Sequence, residues 1–282
     1  FTAGSDQTIR HQLEQEGIRC YTQDGSGFAS NPDLVVVSTA IEDTVPEVRL
    51  VRERKIPIIR RSTLLSWIAK TKRTIAVAGT SGKSTTAAML FHILDRCGLE
   101  PGIITGAGLI PLIRRGKIGN TKVGKGEWLI IEADESDGSI IEYHPEIGLL
   151  LNIEKDHKEI TELIDLFQQF KSQSQLFVVN QSQEWARRFS QNIDQDFSTQ
   201  PENRAGIIGH SFTQKGFLQE FQAGDTTFSL SAIGRHNMEN ALAATAAARL
   251  AGIPLQASAS ALSTYEGIYR RHQVLGTYRG IC

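Results

Sequence analysis

The run Thr74-Ile75-Ala76-Val77-Ala78-Gly79-Thr80-Ser81-Gly82-Lys83-Ser84-Thr85 holds the residue types needed to grip a chain of phosphates. An apolar stretch reads as a strand, a glycine turn follows, and Gly-Lys-Ser stands where a helix begins. Glycines let backbone N–H groups converge on phosphate oxygens, and the helix N-terminus adds positive potential. Lys83 can neutralise the outer phosphates and the Ser84 hydroxyl can ligate Mg²⁺, so a triphosphate is the expected ligand. A plain structural turn can carry the same tripeptide; the strand before it and the helix after it favour the phosphate reading. The six-residue spacing of the usual phosphate loop asks for glycine at position 77, where Val77 stands instead.

Two acidic stretches end apolar runs in equivalent positions. Glu132-Ala133-Asp134-Glu135-Ser136-Asp137 closes the run Trp128 to Ile131, and Asn152-Ile153-Glu154-Lys155-Asp156-His157 closes Ile147 to Leu151. Ligands bind at the C-terminal ends of parallel strands in α/β sheets. A run of acids is commonly a solvated loop, but beside a phosphate loop it can complete a Mg²⁺ site. Glu132, at the strand edge, is the expected ligand, with the other acids facing water. His157 is a second ligand candidate because neutral imidazole binds metals; His11, His92, His144 and His272 read as structural. In Gly234-Arg235-His236-Asn237-Met238-Glu239-Asn240 the spacing sets the amides of Asn237 and Asn240 on one helix face, although helix capping by Asn237 alone explains the pattern equally well. Gly267 to Arg271 ends on two arginines, which suit bidentate phosphate contact or simply face solvent.

These residues need a scaffold that delivers strand ends to one edge. Apolar strands alternate with amphipathic helices along most of the chain, the pattern of an α/β fold with parallel sheets covered by helices on both faces. Leu34 to Ser38 reads as a buried strand and Thr44-x-x-Glu47 with Pro46 as a capping box opening a helix. Ile56 to Ile59 is the next strand, and Ser62 is placed to cap a helix through Ala69. The basic stretch Lys70 to Arg73 marks a joint, so a domain boundary is expected near residue 73. Strands follow at Thr74 to Ala78, near Ile103, and at Trp128 to Glu132, Ile147 to Ile153 and Leu176 to Asn180, enough for a full nucleotide-binding sheet. Between about Gly206 and Leu230 a strand-turn-strand pattern around Ala223-Gly224-Asp225 predicts a small antiparallel hairpin edging that sheet. The Ala-rich segment Asn237 to Ala251 is helical by propensity.

Composition narrows the partners. Of 282 residues 40% are hydrophobic and 22% charged, which suits a globular chain of about two domains. Lys plus Arg total 30 against 31 Asp plus Glu, so no general field draws nucleic acid or anionic lipid, and neither partner is expected. No uninterrupted apolar run of membrane-spanning length and no basic-then-apolar leader is present in the sequence. Cys20, Cys97 and Cys282 are far apart and lack metal-ligand spacing, which fits a reducing cytoplasm. Phe1 to Asp6 read as the end of a strand and Gly276 to Cys282 as the opening of another, so a fragment of a longer chain is expected.

Together the motifs resemble the Mur ligase family, ATP-dependent amide-bond-forming enzymes of bacterial cell-wall precursor synthesis. The family's loop, Gly-Thr-x-Gly-Lys-Thr/Ser-Thr, is matched by Gly79 to Thr85, so Val77 is no anomaly and Gly79, Thr80, Ser81, Gly82, Lys83, Ser84 and Thr85 are implied nucleotide-binding residues. The resemblance carries the family's metal-binding glutamate to Glu132, its Asp-His pair to Asp156 and His157, its adenine-side His-Asn-x-x-Asn to His236 to Asn240, and its phosphate-region arginine to Arg271. It thus implies Lys83, Glu132, His157 and Arg271 as catalytic, Ser84, Glu132 and His157 as metal-holding, Asn237 and Asn240 as nucleotide-binding, and ATP with Mg²⁺ as cofactors. Ala3-Gly4-Ser5-Asp6, Val35-Val36-Val37-Ser38 with Ile56-Pro57-Ile58-Ile59-Arg60-Arg61, and the Glu132 to Asp137 run look like the subgroup joining L-alanine to the lactyl carboxylate of UDP-N-acetylmuramate. The subgroup that recycles a ready-made tripeptide onto the same sugar nucleotide shares the Glu-Ala-Asp-Glu run and is the alternative. The implied organisation is a partial UDP-sugar-binding domain at 1–73, a central ATP-binding domain at 74–275, and the start of a C-terminal domain at 276–282. Other classes stay open: a non-catalytic ATP-binding module, and a P-loop kinase acting on a hydroxyl. The acid cluster and the Asn-x-x-Asn helix favour the ligase.

Overall fold

The computed structural model describes residues 7–28, 32–155 and 158–269. Expectations placed on Phe1 to Asp6, Asp156, His157, Arg271, His272 and Gly276 to Cys282 fall outside them.

The first unit runs α1 (Gln7–Gln15), β1 (Val35–Val37), α2 (Pro46–Glu53), β2 (Ile58–Arg60) and α3 (Arg61–Ala69). β1 and β2 pair in parallel, with Val36 opposite Ile59, and α2 makes the crossover. Neither expected cap forms. Proline favours the first helical position, and Pro46 takes it, so the N-cap moves to Val45 and Thr44 falls one residue too early. Thr44 Oγ1 donates to Glu42 instead, and Glu47 Oε1 accepts the Gly25 N–H at 2.9 Å. Similarly, α3 starts at Arg61 with Arg60 as N-cap, and Ser62 Oγ donates to Glu142 Oε1 at 2.8 Å, linking this unit to the next.

The second unit continues through β3 (Arg73–Ala78), α4 (Lys83–Arg96), β4 (Gly102–Ile104), α5 (Ile110–Ile113), β5 (Thr121–Lys122), β6 (Trp128–Ala133), β7 (Ile147–Leu150), α6 (Ile160–Gln173) and β8 (Leu176–Val179). Its six-stranded sheet has the order β5-β4-β6-β3-β7-β8, parallel except for the edge strand β5. The two-residue β5 is polar and carries no periodicity that could announce it. β3 lies between β6 and β7, and its side chains alternate between two cores. Ile75 and Val77 pack with the buried face of α4, and Ala76 and Ala78 pack with Phe167 and Phe170 of α6. Val77 is fully buried, so the loop begins after the strand, at Gly79.

The hairpin expected at the sheet edge is a separate structure. β9 (Phe197–Ser198), β10 (Ile207–Lys215), β11 (Leu218–Ala223) and β12 (Thr226–Ser231) form their own sheet in the order β12-β11-β10-β9. The turn at Gly224 is where the sequence puts it. Every second residue of β11 and β12 is buried, apolar at Phe221, Ala223, Phe228 and Leu230 and polar at Gln219 and Thr226; Phe221 and Phe228 stack, and this face closes over α7 (Arg235–Leu250) and α8 (Leu255–Leu262). The buried face of this sheet is committed to those helices, and β10, β11 and β12 pair with one another rather than along β5 or β8. The two sheets meet at a single bridge among the described residues, Asn180 with Phe197. No helix among the described residues is long and apolar enough to cross a membrane.

Asp196 secures that junction. Its buried carboxylate accepts the Val179 N–H at 2.9 Å, Gln181 Nε2 at 2.7 Å and Ser190 Oγ at 2.5 Å. Burial pushes this carboxyl above its ordinary range despite those donors. The folded group therefore binds its proton more tightly than the unfolded one, and stability from this residue falls as pH rises from about 4 through the raised value. Asp196→Ala leaves three donors unpaired and is expected to cost about 2–3 kcal/mol, measured by urea unfolding at pH 7.

Candidate active site

Because β6, β3 and β7 are neighbours in parallel, the segments leaving their C-terminal ends meet. β3 feeds the glycine loop, β6 feeds the acidic turn, and β7 feeds Asn152; β4, beside β6, delivers Thr105 and Gly106 to the same edge. The chain leaves β3 toward β4 on one side and reaches β7 on the other, so this edge is the topological switch point where α/β sheets open a crevice.

Two glycines shape the loop. Gly79 has φ 138° and Gly82 φ 83°, values that L side chains rarely adopt. A Cβ on Gly82 would also lie 2.6 Å from Asn240 Oδ1. Asn152 holds the loop from the β7 side: its Oδ1 accepts Thr80 Oγ1 at 2.8 Å and the Ser81 N–H at 2.9 Å, and its Nδ2 donates to Ser81 O at 3.2 Å. Thr80 Oγ1 in turn accepts the Glu154 N–H at 3.1 Å. The loop is thus fixed to the neighbouring strand by side-chain bonds.

Lys83 is the first residue of α4, and its ammonium points back over the loop, donating to Gly79 O at 2.7 Å and to Glu135 Oε2 at 2.9 Å. Glu135, expected to face water, is buried and paired with this lysine. The reason is local: Asp134 Oδ1 accepts the Ser136 N–H, turning the chain so that Glu135 folds under the loop. Burial pushes the Asp134 carboxyl up, but the Ser136 N–H and the nearby Lys83 ammonium outweigh it and leave the group below the usual carboxylate range.

Glu132 and Ser84 meet. Ser84 Oγ donates to Glu132 Oε2 at 2.8 Å, while Glu132 Oε1 accepts the Gly106 N–H at 2.7 Å and Thr105 Oγ1. From the opposite wall come the two amides of α7. Asn240 Nδ2 donates to Asn237 Oδ1 at 3.3 Å, Asn240 Oδ1 accepts Thr86 Oγ1 at 3.1 Å, and Asn237 Nδ2 donates to Ile233 O at 2.8 Å. The N-cap of α7 is Gly234, so Asn237 is not a cap. Residues 80–85, Glu132, Asp134, Asn237 and Asn240 line one cavity of about 590 Å³, with Arg114 and Glu266 ion-paired at a further wall.

The structure therefore brings together Lys83, Ser84, Glu132, Asn237, Asn240 and the loop from Gly79 to Thr85; His157 and Arg271 lie outside the described residues. It adds Glu135, Asn152 and Thr105, whose residue types gave no hint of their direction. Glu135 at 2.9 Å and Asp134 at 3.8 Å flank the Lys83 ammonium, and Glu132 lines the same cavity, a balance of charge that repels a bare polyanion. Among the described residues no three of His, Cys, Asp and Glu converge on a metal position. One hydroxyl and one carboxylate beside a phosphate seat are nevertheless the hard-oxygen donor set that Mg²⁺ takes, its other positions going to phosphate and water.

The matches to known proteins agree with this arrangement. The profile of the Mur ligase middle domain matches residues 77–248, more than half of the chain, and that of the Mur ligase family catalytic domain matches residues 2–73. The chain belongs to the Mur ligase family. Among its curated relatives, the UDP-N-acetylmuramate--L-alanine ligase of Pelotomaculum thermopropionicum is 33% identical over 96% of this chain and 60% of the relative. The protein of that name from Cyanothece is 34% identical over 99% of this chain and 61% of the relative. The chain thus spans about three fifths of the length of these relatives. The crystal structure of the UDP-N-acetylmuramate-alanine ligase of Thermotoga maritima shares the fold of this Mur ligase chain with TM-score 0.83 and 24% identity, covering 95% of this chain and 63% of that one. The UDP-N-acetylmuramate:L-alanyl-gamma-D-glutamyl-meso-diaminopimelate ligase of Neisseria meningitides shares it with TM-score 0.79 and 23% identity, over 95% of this chain and 90% of that one.

Asn152→Ala removes the bonds that hold Thr80 and Ser81. The fold should persist, and affinity for ATP, measured by titration calorimetry, should fall on the order of tenfold, the equivalent of one or two lost hydrogen bonds.

Proposed function

We propose that this chain carries the nucleotide site of an ATP-dependent ligase that joins L-alanine to the lactyl carboxylate of UDP-N-acetylmuramate. The observation that carries the reading is the meeting of Lys83, Ser84 and Glu132 at one sheet edge, facing the Asn237 and Asn240 amides across a single cavity. A carboxylate is a poor electrophile, because its charge repels an amine and its oxygen leaves badly. Transfer of the ATP γ-phosphoryl group to the substrate carboxylate cures both, giving an acyl phosphate and ADP. Attack by the amine on the acyl carbon then expels phosphate, and the amine's proton passes to solvent.

The residues' contribution is positional and electrostatic. The loop amides and the α4 N-terminus orient the phosphates, and Lys83 offsets charge on the transferring group. Ser84 and Glu132 would hold Mg²⁺, which supplies neutralising charge between phosphate oxygens when bound. Asn237 and Asn240 would bound the nucleotide on the α7 side. The family pattern adds His157 beside the metal and substrate carboxylate, and Arg271 beside the γ-phosphate. In the same reading residues 1–73 belong to the sugar-nucleotide unit, residues 74–275 to the ATP unit, and the need for ATP sets the reaction in the cytoplasm. No side chain is required as a covalent nucleophile.

The test is ADP release by the full product of the coding frame that contains this chain, with UDP-N-acetylmuramate and a panel of L-alanine, glycine, L-serine and the cell-wall tripeptide. Release that needs both the sugar-nucleotide acid and L-alanine is expected. Preference for the tripeptide would assign the recycling reaction, and a stable phosphoester without amine would indicate a kinase. Lys83→Ala should lower turnover on the order of 10² to 10³, as loss of one preorganised charge-stabilising donor does.

A further inference from the structure

Glu135 has no role in the reaction as set out above, yet it is only 6% exposed. Both of its carboxylate oxygens lie near one atom, at 2.9 and 3.2 Å from Lys83 Nζ. Among the described residues Lys83 is the sole hydrogen-bond partner of that carboxylate. The ammonium has three N–H groups. Its three acceptors are Gly79 O at 2.7 Å and the two Glu135 oxygens, of which Oε1 makes the longest contact at 3.2 Å, while Asp134 Oδ1 lies beyond bonding distance at 3.8 Å.

If Lys83 left Glu135 for a phosphate, a buried carboxylate would lose its counterion just as a polyanion arrived beside it, the costliest way to break such a pair. If it stays, held by Glu135 Oε2 and Gly79 O, only the longer contact to Glu135 Oε1 has to give way for one N–H to turn to the phosphate, and the other two fix where the ammonium points. We propose that Glu135 is a positioning residue that remains paired with Lys83 when nucleotide binds, aiming the ammonium at the transferring phosphoryl group. The inference rests on the ligase reading for the identity of that group, but the pair itself can be tested without nucleotide.

The experiment is a double-mutant cycle on the full coding-frame product with Glu135→Gln, Lys83→Ala and the double variant. Three quantities are read: thermal unfolding without nucleotide, ATP affinity, and kcat with KM for ATP. Lys83→Ala strands the Glu135 carboxylate, so it should lower the unfolding midpoint, and adding Glu135→Gln should restore most of the loss. Glu135→Gln alone should lower kcat on the order of tenfold or more with ATP affinity and KM little changed, because a misaimed group loses rate rather than binding. In the Lys83→Ala background it should change turnover hardly at all. Additive effects on unfolding or turnover would overturn the inference. So would tighter ATP binding by Glu135→Gln, which would make Glu135 a competitor that must release the lysine. The unfolding cycle judges the pair even where amine-dependent ADP release is absent from the unaltered protein, a result that would sink the ligase reading instead.

Discussion

One ammonium and three carboxylates gather in one cavity region beyond the end of β3 because that strand is enclosed on both faces and both edges. A strand with parallel neighbours at each side and cores above and below can place its next polar groups only at its end. β6 and β7 end at the same level, so whatever follows them must meet the glycine loop. The contacts of Glu132, Glu135 and Asn152 with the loop all follow from the order β6-β3-β7.

The electrostatics of that edge are deliberately unfinished. Backbone amides and Lys83 attract phosphate, and Glu132, Asp134 and Glu135 oppose it. Glu135 is satisfied internally by Lys83, and Asp134 is partly satisfied by the Ser136 N–H. Glu132 is the carboxylate left facing a hydroxyl, with one oxygen held by Thr105 and Gly106 and the other turned toward Ser84. An arrangement of this kind favours phosphate that arrives with a divalent cation over phosphate alone.

Much of this was legible in the sequence because it depends on runs of apolar residues. The strands from Arg73 to Val179, β5 excepted, and the Ala-rich α7 follow directly from hydrophobic pattern and propensity, and Glu132, Ser84 and the asparagine pair stand at their ends. What was not legible depends on which element lies beside which. Glu135 and Asp137 look alike in sequence, and only the turn at Asp134 and the nearness of α4 distinguish the buried one. Asn152 is one polar residue after an apolar run, and its grip on Ser81 requires β7 to adjoin β3. The expected caps Thr44 and Ser62 failed for a smaller reason, since the N-cap falls one residue later at Val45 and two residues earlier at Arg60, which leaves both hydroxyls to other partners. The hairpin was read correctly as a hairpin and placed against the wrong neighbour, since alternation reveals a buried face but not what covers it.

Lys83 is not simply near a helix; it is the first residue of α4, directly after the left-handed turn at Gly82. The remainder of α4 is wedged in the interior through Met89, Leu90, Ile93 and Leu94, all fully buried. The helix therefore behaves as a lever with its reactive tip at one end and its seat deep among aliphatic side chains. Volume changes in that seat, some distance from any ligand, alter where the tip points, so the tolerance of this interior to substitution is set by aim as well as by fold.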